Sequence, residues 1–275
     1  MLCAMTSILV EEVTAPAGLS PERFAEDYVR GGRPVVLRGL VSGWPARGWG
    51  FPQIASQLPA RAIEGCGLSA ADGLSVRRVS MEPEELVRRL TSDGEVAGEA
   101  PDWFFDVPTE LPELFRALPA PPITRGRYRY GVAIGRDTCT RGHYHSHEHA
   151  LISQVHGQKR IILYPPTDFR RLYPHPRRLH RSPHEYSRVD FSNPDLAEFP
   201  ELKGARRLEL VLSGGDALFV PVHWWHAVYG LGAIMSVSML WNAAVRDYRF
   251  RQSGLRAVSS PIRQRVWPLV RGLFG

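Results

Sequence analysis

Cysteine is scarce in this chain: Cys3, Cys66 and Cys139 are three in 275 residues, odd in number and far apart. That spacing argues against a disulfide framework and against a cysteine-built zinc site, so the three read as reduced thiols. Lysine is scarcer still. Lys159 and Lys203 are the two present, which leaves 32 arginines among the 34 basic residues. Long apolar runs are also missing, since none reaches the roughly 18 residues of a membrane span. The opening MLCAMTSILVEE has neither the basic flank nor the long apolar stretch of a secretory signal. The expected compartment is therefore the cytoplasm. The net charge of +6 comes without a compact basic block, so nucleic acid is the less favoured partner.

What is present suits one large core: 44% of residues are hydrophobic, and the length fits one elaborated domain better than two compact ones. Ser20 and Pro21 open a predicted helix, LSPERFAEDYVRGG, that Gly31 and Gly32 close, and PVVLRGL follows as a buried strand. A second helix is expected from near Ser80 through EPEELVRRL and a short third over LPELFRAL. From about residue 127 the texture becomes YRYGVAIG, ALISQVHG, KRIILYPP, RRLELVL, DALFVPV and IMSVSMLW, short β-branched and aromatic runs punctuated by Gly, Pro and Asp. Such runs predict a mainly β chain with flanking helices, closed as an antiparallel barrel or jelly roll. The expected division is a helix and strand segment over 1–126 integrated with the barrel, the barrel core over 127–245, and a helical tail over 246–275.

Four of the ten histidines stand in GHYHSHEHA, at 143, 145, 147 and 149, with Glu148 among them. On a straight strand, alternate residues share a face about 7 Å apart, so four in a row would spread over about 20 Å. Metal to imidazole bonds are about 2.0 to 2.1 Å, and one ion can accept one H-x-H pair plus a remote ligand. His226, in GGDALFVPVHWWHAVYG, is the best remote candidate. A surface histidine tract, or histidines satisfied inside a core, is the competing reading. Between Pro165 and Pro200 runs a proline-rich stretch too long for a hairpin connection, and loops of that length are often functional.

These pieces, in order, resemble the JmjC and cupin-like 2-oxoglutarate-dependent oxygenases, especially the branch of the asparaginyl hydroxylase that inhibits hypoxia-inducible factor. The resemblance runs through RPVVLRGLVSGWPA at 33–46, SQVHGQKRIILYPPTDFRRLYPHP, VDFSNPDLAEFP, GDALFVPVHWWHAV and SVSMLW. It implies a double-stranded β-helix, Fe(II) and 2-oxoglutarate as cofactors, and a hydroxylase acting on a protein, peptide or small molecule. It implies an iron site of an H-x-D/E pair and a distal histidine, with positions left open for 2-oxoglutarate and oxygen. T-R-G-H places the first ligand at His143, and WWH places the distal one at His226. The acidic position is then occupied by His145. Three alternatives follow: His145 binds directly, Glu148 swings in to restore a carboxylate, or the site is degenerate. Direct binding by His145 is preferred. The resemblance also makes Lys159 the cation for the distal carboxylate of 2-oxoglutarate, with Thr140 assisting and Trp103 in the place of a tyrosine. Two partner expectations complete the reading. A homodimer through the tail from Ser259 is one; an acidic substrate met by Arg170, Arg171, Arg177, Arg178, Arg181 and Arg188 is the other.

Overall fold

A computed structural model describes residues 9–14, 18–58, 63–68, 76–92, 103–123, 128–175 and 185–247. Eleven strands lie among them: β1 (Glu11–Thr14), β2 (Val35–Arg38), β3 (Ile63–Leu68), β4 (Val76–Met81), β5 (Trp103–Asp106), β6 (Arg129–Arg136), β7 (Cys139–His143), β8 (Glu148–Tyr164), β9 (Leu208–Ser213), β10 (Ala217–Val220) and β11 (Trp225–Asn242). The long strands β8 and β11 organise the barrel by changing partners halfway. The first half of β8, with the second half of β11, belongs to the order β1-β2-β10-β8-β11-β6-β5. The second half of β8 pairs with β9, and the first half of β11 pairs with β7. This is a double-stranded β-helix, whose two sheets share their longest strands.

The change of sheet has a physical cause at Gly157 and Gly232, where φ is +70° and +76°. A side chain at 157 would place its Cβ 2.2 Å from the Ala233 carbonyl oxygen, so only glycine lets the strands bend there. The β8–β11 register shifts at the same point, between Leu231 and Met235.

Alternation on either side of this bend sorts the apolar residues into three layers. Ala150, Ile152, Ile161, Leu163, Leu212 and Val228 fill the space between the sheets. Leu37, Leu151, Val155, Phe219, Val237 and Met239 cover the outer face of the larger sheet, where the N-terminal helices pack. Ile162, Tyr164, Phe191, Phe199, Trp225 and Ala227 form the outer layer of the smaller sheet. Being buried on both faces, these strands read as nearly continuous apolar runs.

The helices are short. Ser20 caps Pro21–Phe24, its hydroxyl accepting from the Arg23 N–H at 3.2 Å, and the chain then widens into a π turn over Ala25–Val29. The helix expected from Ser80 begins instead at Pro83 and runs to Thr91, because Ser80 is taken up in β4 opposite Glu64. LPELFRAL is helical over Pro112–Arg116. β1, β2 and β5 from the first 126 residues pair into the larger sheet. Among the described residues no helix is long and apolar enough to cross a membrane. The tail from Ser259, to which the homodimer expectation attaches, lies outside the described residues, as do Arg177, Arg178 and Arg181.

Candidate metal centre

The centre lies where β7 meets the start of β11. Antiparallel pairing sets His143 directly opposite His226, and directly paired residues share a face. A bulge between Thr140 and His143 lets both positions look inward, since Thr140 stands opposite Val228, two residues farther along β11. Gly142 lies between them against Phe191: an added Cβ would come within 2.5 Å of that ring. Two residues on, His145 joins, its carbonyl accepting from the His223 N–H at 3.0 Å. This bond fastens the HYH segment to the HWWH turn, so the ligand-bearing pieces are fixed to each other.

The three rings converge. Their centroids are 4.1 Å apart for His143 and His226, 5.2 Å for His143 and His145, and 5.0 Å for His145 and His226. Their candidate ligand atoms all lie within 4.8 Å of one another. Two tautomers are set by the backbone. His143 Nδ1–H donates to the Arg141 carbonyl at 2.9 Å, and His226 Nδ1–H to the Trp224 carbonyl at 3.1 Å. A carbonyl can only accept, so each Nε2 keeps its lone pair. Burial, reinforced by His143 and His147, pushes the His145 imidazole down to about 3. Burial lowers His143 as well, and takes His226 well below the usual value. Three neutral imidazoles in a pocket that resists protonation are the donor set a divalent transition metal takes.

The other histidines of the tract go elsewhere, which corrects the straight-strand expectation. β7 ends at His143 and β8 begins at Glu148; the bend between them sends His147 toward Ser146, at 3.1 Å. His149 turns into the outer core against Phe219 and Trp241, where its Nδ1 accepts from the Val222 N–H at 3.1 Å and its Nε2 faces Asp247 at 3.3 Å. Glu148, the alternative ligand, is paired with Arg129, whose guanidinium donates to both carboxylate oxygens at 2.7 and 2.9 Å.

Lys159 is 4% exposed and points between the sheets, donating to the Ser236 hydroxyl at 2.7 Å. Along β11, His226, Val228 and Gly230 face Leu163, Ile161 and Lys159 of β8 in turn. Thr140 therefore falls between the histidines and the lysine. Trp103 stands in β5 opposite Ile134, and its side chain lies outside the described residues. Trp225 and Tyr164 are fully buried in the outer layer, and the Trp224 indole N–H donates to the Gly32 carbonyl at 2.8 Å.

Three residues that matter here carried no sequence signal or a faint one. Tyr186 bridges His143 and stacks on it, with centroids 5.3 Å apart and planes at 24°. Glu185 precedes it, its carbonyl accepting from the Tyr144 N–H at 3.0 Å. Both sit in a stretch without periodicity. Ser236 was findable, since alternation along SVSMLW turns it inward toward the buried lysine.

Fold and centre together define a cupin-type protein, and residues 75–247 match the model of the cupin-like domain family. The chain belongs to that family. Its relatives include lysine-specific demethylase 8 of Danio rerio, 30% identical over 81% of this chain and 56% of that protein. They also include HSPB1-associated protein 1 of Bos taurus, 33% identical over 90% and 58%. Lysine-specific demethylase JMJ30 of Arabidopsis thaliana is 29% identical over 86% and 56%. The chain thus spans about half the length of the curated relatives it matches.

Proposed function

We propose that this chain is an Fe(II)- and 2-oxoglutarate-dependent oxygenase that hydroxylates a C–H bond of a protein, peptide or small molecule. The observation that carries the reading is the inward row of three converging imidazoles, Thr140 and the buried Lys159 along one line of the barrel. His143, His145 and His226 would hold the metal through their free nitrogens, with the Arg141 and Trp224 carbonyls keeping two of the rings in the required tautomer. Fe(II) with 2-oxoglutarate would supply the oxidation by O2, one oxygen atom going into succinate as CO2 is released and the other into the hydroxylated carbon. Leu163, opposite His226, stands four residues from Lys159, roughly 13 Å along the strand at 3.3 Å per residue. A lysine side chain, a five-carbon diacid and a metal ion can together bridge that span. The Lys159 ammonium would receive the distal carboxylate in a charge-assisted contact, with Ser236 fixing its direction. Apolar walls from Ile161, Leu163 and Val228 keep water from the reacting carbon.

Support from relatives is of the same kind. Two carry the name of lysine-specific demethylases, and hydroxylation of an N-methyl carbon is the first step of oxidative demethylation, so a methylated protein side chain belongs among the substrates to test. Arg170 and Arg188 are exposed on the 165–200 excursion and fit an acidic partner; a homodimer through the tail and a cytoplasmic location remain part of the same proposal.

One observation favours a second reading. A carboxylate is absent from the trio, so a metal there keeps one more positive charge than an acid-containing site would give it, and the chain could bind metal without turnover. Succinate formation from 2-oxoglutarate under oxygen separates the two. The oxygenase reading expects succinate that disappears in His143→Ala and Lys159→Ala; metal retention with no succinate under any candidate substrate supports the second.

A further inference from the structure

The row of the barrel that carries Lys159 also holds a hydroxyl left without a hydrogen bond. Gly230 of β11 stands opposite Lys159 on one side. On its other side the Gly230 N–H donates to the Thr138 carbonyl at 2.8 Å, one residue beyond the pairing of Tyr229 with Cys139. The neighbouring row fixes which way these residues face. Cys139 is exposed and the Arg160 guanidinium lies over the Tyr229 ring, 5.8 Å from its centroid, so that row looks outward. By alternation Lys159, Gly230 and Thr138 look between the sheets. Thr138 is 2% exposed, and its Oγ1 has no hydrogen-bond partner among the described residues. A Cβ built on Gly230 would come 2.9 Å from that oxygen, so the hydroxyl leans over the glycine on the inner side of the sheet. Thr140 stands opposite Val228, one row nearer the histidines.

We propose that Thr138 is a co-substrate-binding residue, its hydroxyl and the Lys159 ammonium taking the distal carboxylate of 2-oxoglutarate between them over the bare backbone of Gly230. This rests on the co-substrate reading of the site. Two strand spacings separate Lys159 from Thr138, roughly 10 Å between backbones. One long side chain, one short one and a carboxylate fill that gap. The ammonium donates to one carboxylate oxygen and the hydroxyl to the other, so neither oxygen is buried unpaired. A buried hydroxyl with no partner destabilises the empty protein, and an arriving carboxylate removes that penalty as it binds. A side chain at 230 would stand where the carboxylate goes, which gives the glycine a reason at the site.

The experiment is a calorimetric titration of the Co(II)-loaded full chain with 2-oxoglutarate in wild type, Thr138→Val, Thr138→Ser and Lys159→Met, with Co(II) affinities and thermal melts of the metal-free proteins beside it. Thr138→Val keeps the side-chain shape and removes the hydroxyl. It is expected to weaken 2-oxoglutarate about tenfold, which corresponds to about 1.4 kcal/mol, while Co(II) affinity stays within about twofold and the melting temperature is equal to or above that of wild type. Thr138→Ser is expected to recover most of the co-substrate affinity. Equal 2-oxoglutarate affinity in Thr138→Val and wild type, with Lys159→Met weakened, overturns the inference and leaves the co-substrate reading standing. A weakened Thr138→Val that also melts lower or binds Co(II) less tightly overturns it as well, since the threonine then serves the fold. A Co(II)-loaded wild type that binds no 2-oxoglutarate overturns both.

Discussion

Acid should begin to destabilise the metal-free protein below about pH 6.5, before its carboxylates titrate. His145 is pushed down to about 3 and His223 to about 4, in each case chiefly by burial, while an unfolded histidine takes its proton near 6.5. His143 and His226 move the same way. Between about pH 6.5 and 4 the unfolded chain therefore binds more protons than the folded one. Stability is complete above 6.5 and is lost as the pH falls through that window. Each fully offset group costs 1.36 kcal/mol per pH unit, so by pH 4.5 His145 and His223 each remove about 3 kcal/mol. Together that approaches the whole stability of a domain at the lower end of the usual 5–15 kcal/mol. Urea unfolding followed by tryptophan fluorescence at pH 7.5, 6.5, 5.5 and 4.5 measures the effect. The midpoint should drop steadily below 6.5, and His145→Asn should flatten part of the slope. The lowered carboxyls of Glu12, Glu209 and Asp247 act only below their ordinary values near 4. A midpoint constant from pH 7.5 to 4.5 would refute the picture of neutral, desolvated imidazoles at the centre.

Gly157→Ala forces a side chain into a left-handed backbone against the Ala233 carbonyl and should cost about 3 kcal/mol or more, read as a lowered melting temperature. His149→Ala removes a buried ring that accepts from Val222 and faces Asp247. Thermal stability should fall by about 2–4 kcal/mol while Co(II) stoichiometry is unchanged; loss of the metal would place His149 at the centre. Lys159→Met should leave metal affinity within about twofold but weaken 2-oxoglutarate binding more than tenfold by calorimetry, the loss of one charge-assisted contact.

The barrel was legible because its strands are buried on both faces and broken by glycine and proline at the bends, so the period and the punctuation agree. His143 and His226 were legible from their motifs and lie opposite each other. The fate of His147 and His149 was not, since the same i, i+2 spacing continues through the tract while the backbone turns between Tyr144 and His147. Equally hidden was the placement of Glu185 and Tyr186, whose neighbours across the β7 edge are some forty residues away in sequence and bound through backbone bonds that leave no mark on residue type. The Arg129 to Glu148 pair is another contact that the spacing of the tract does not reveal.

Anaerobic titration of the full chain with Fe(II) and then 2-oxoglutarate tests the central claim most directly. The account predicts a visible metal-to-ligand charge-transfer band that needs both additions, is lost in His143→Ala and His226→Ala, and survives in Glu148→Gln. Tight Fe(II) binding with no such band at saturating 2-oxoglutarate, or a band lost only in Glu148→Gln, would contradict it.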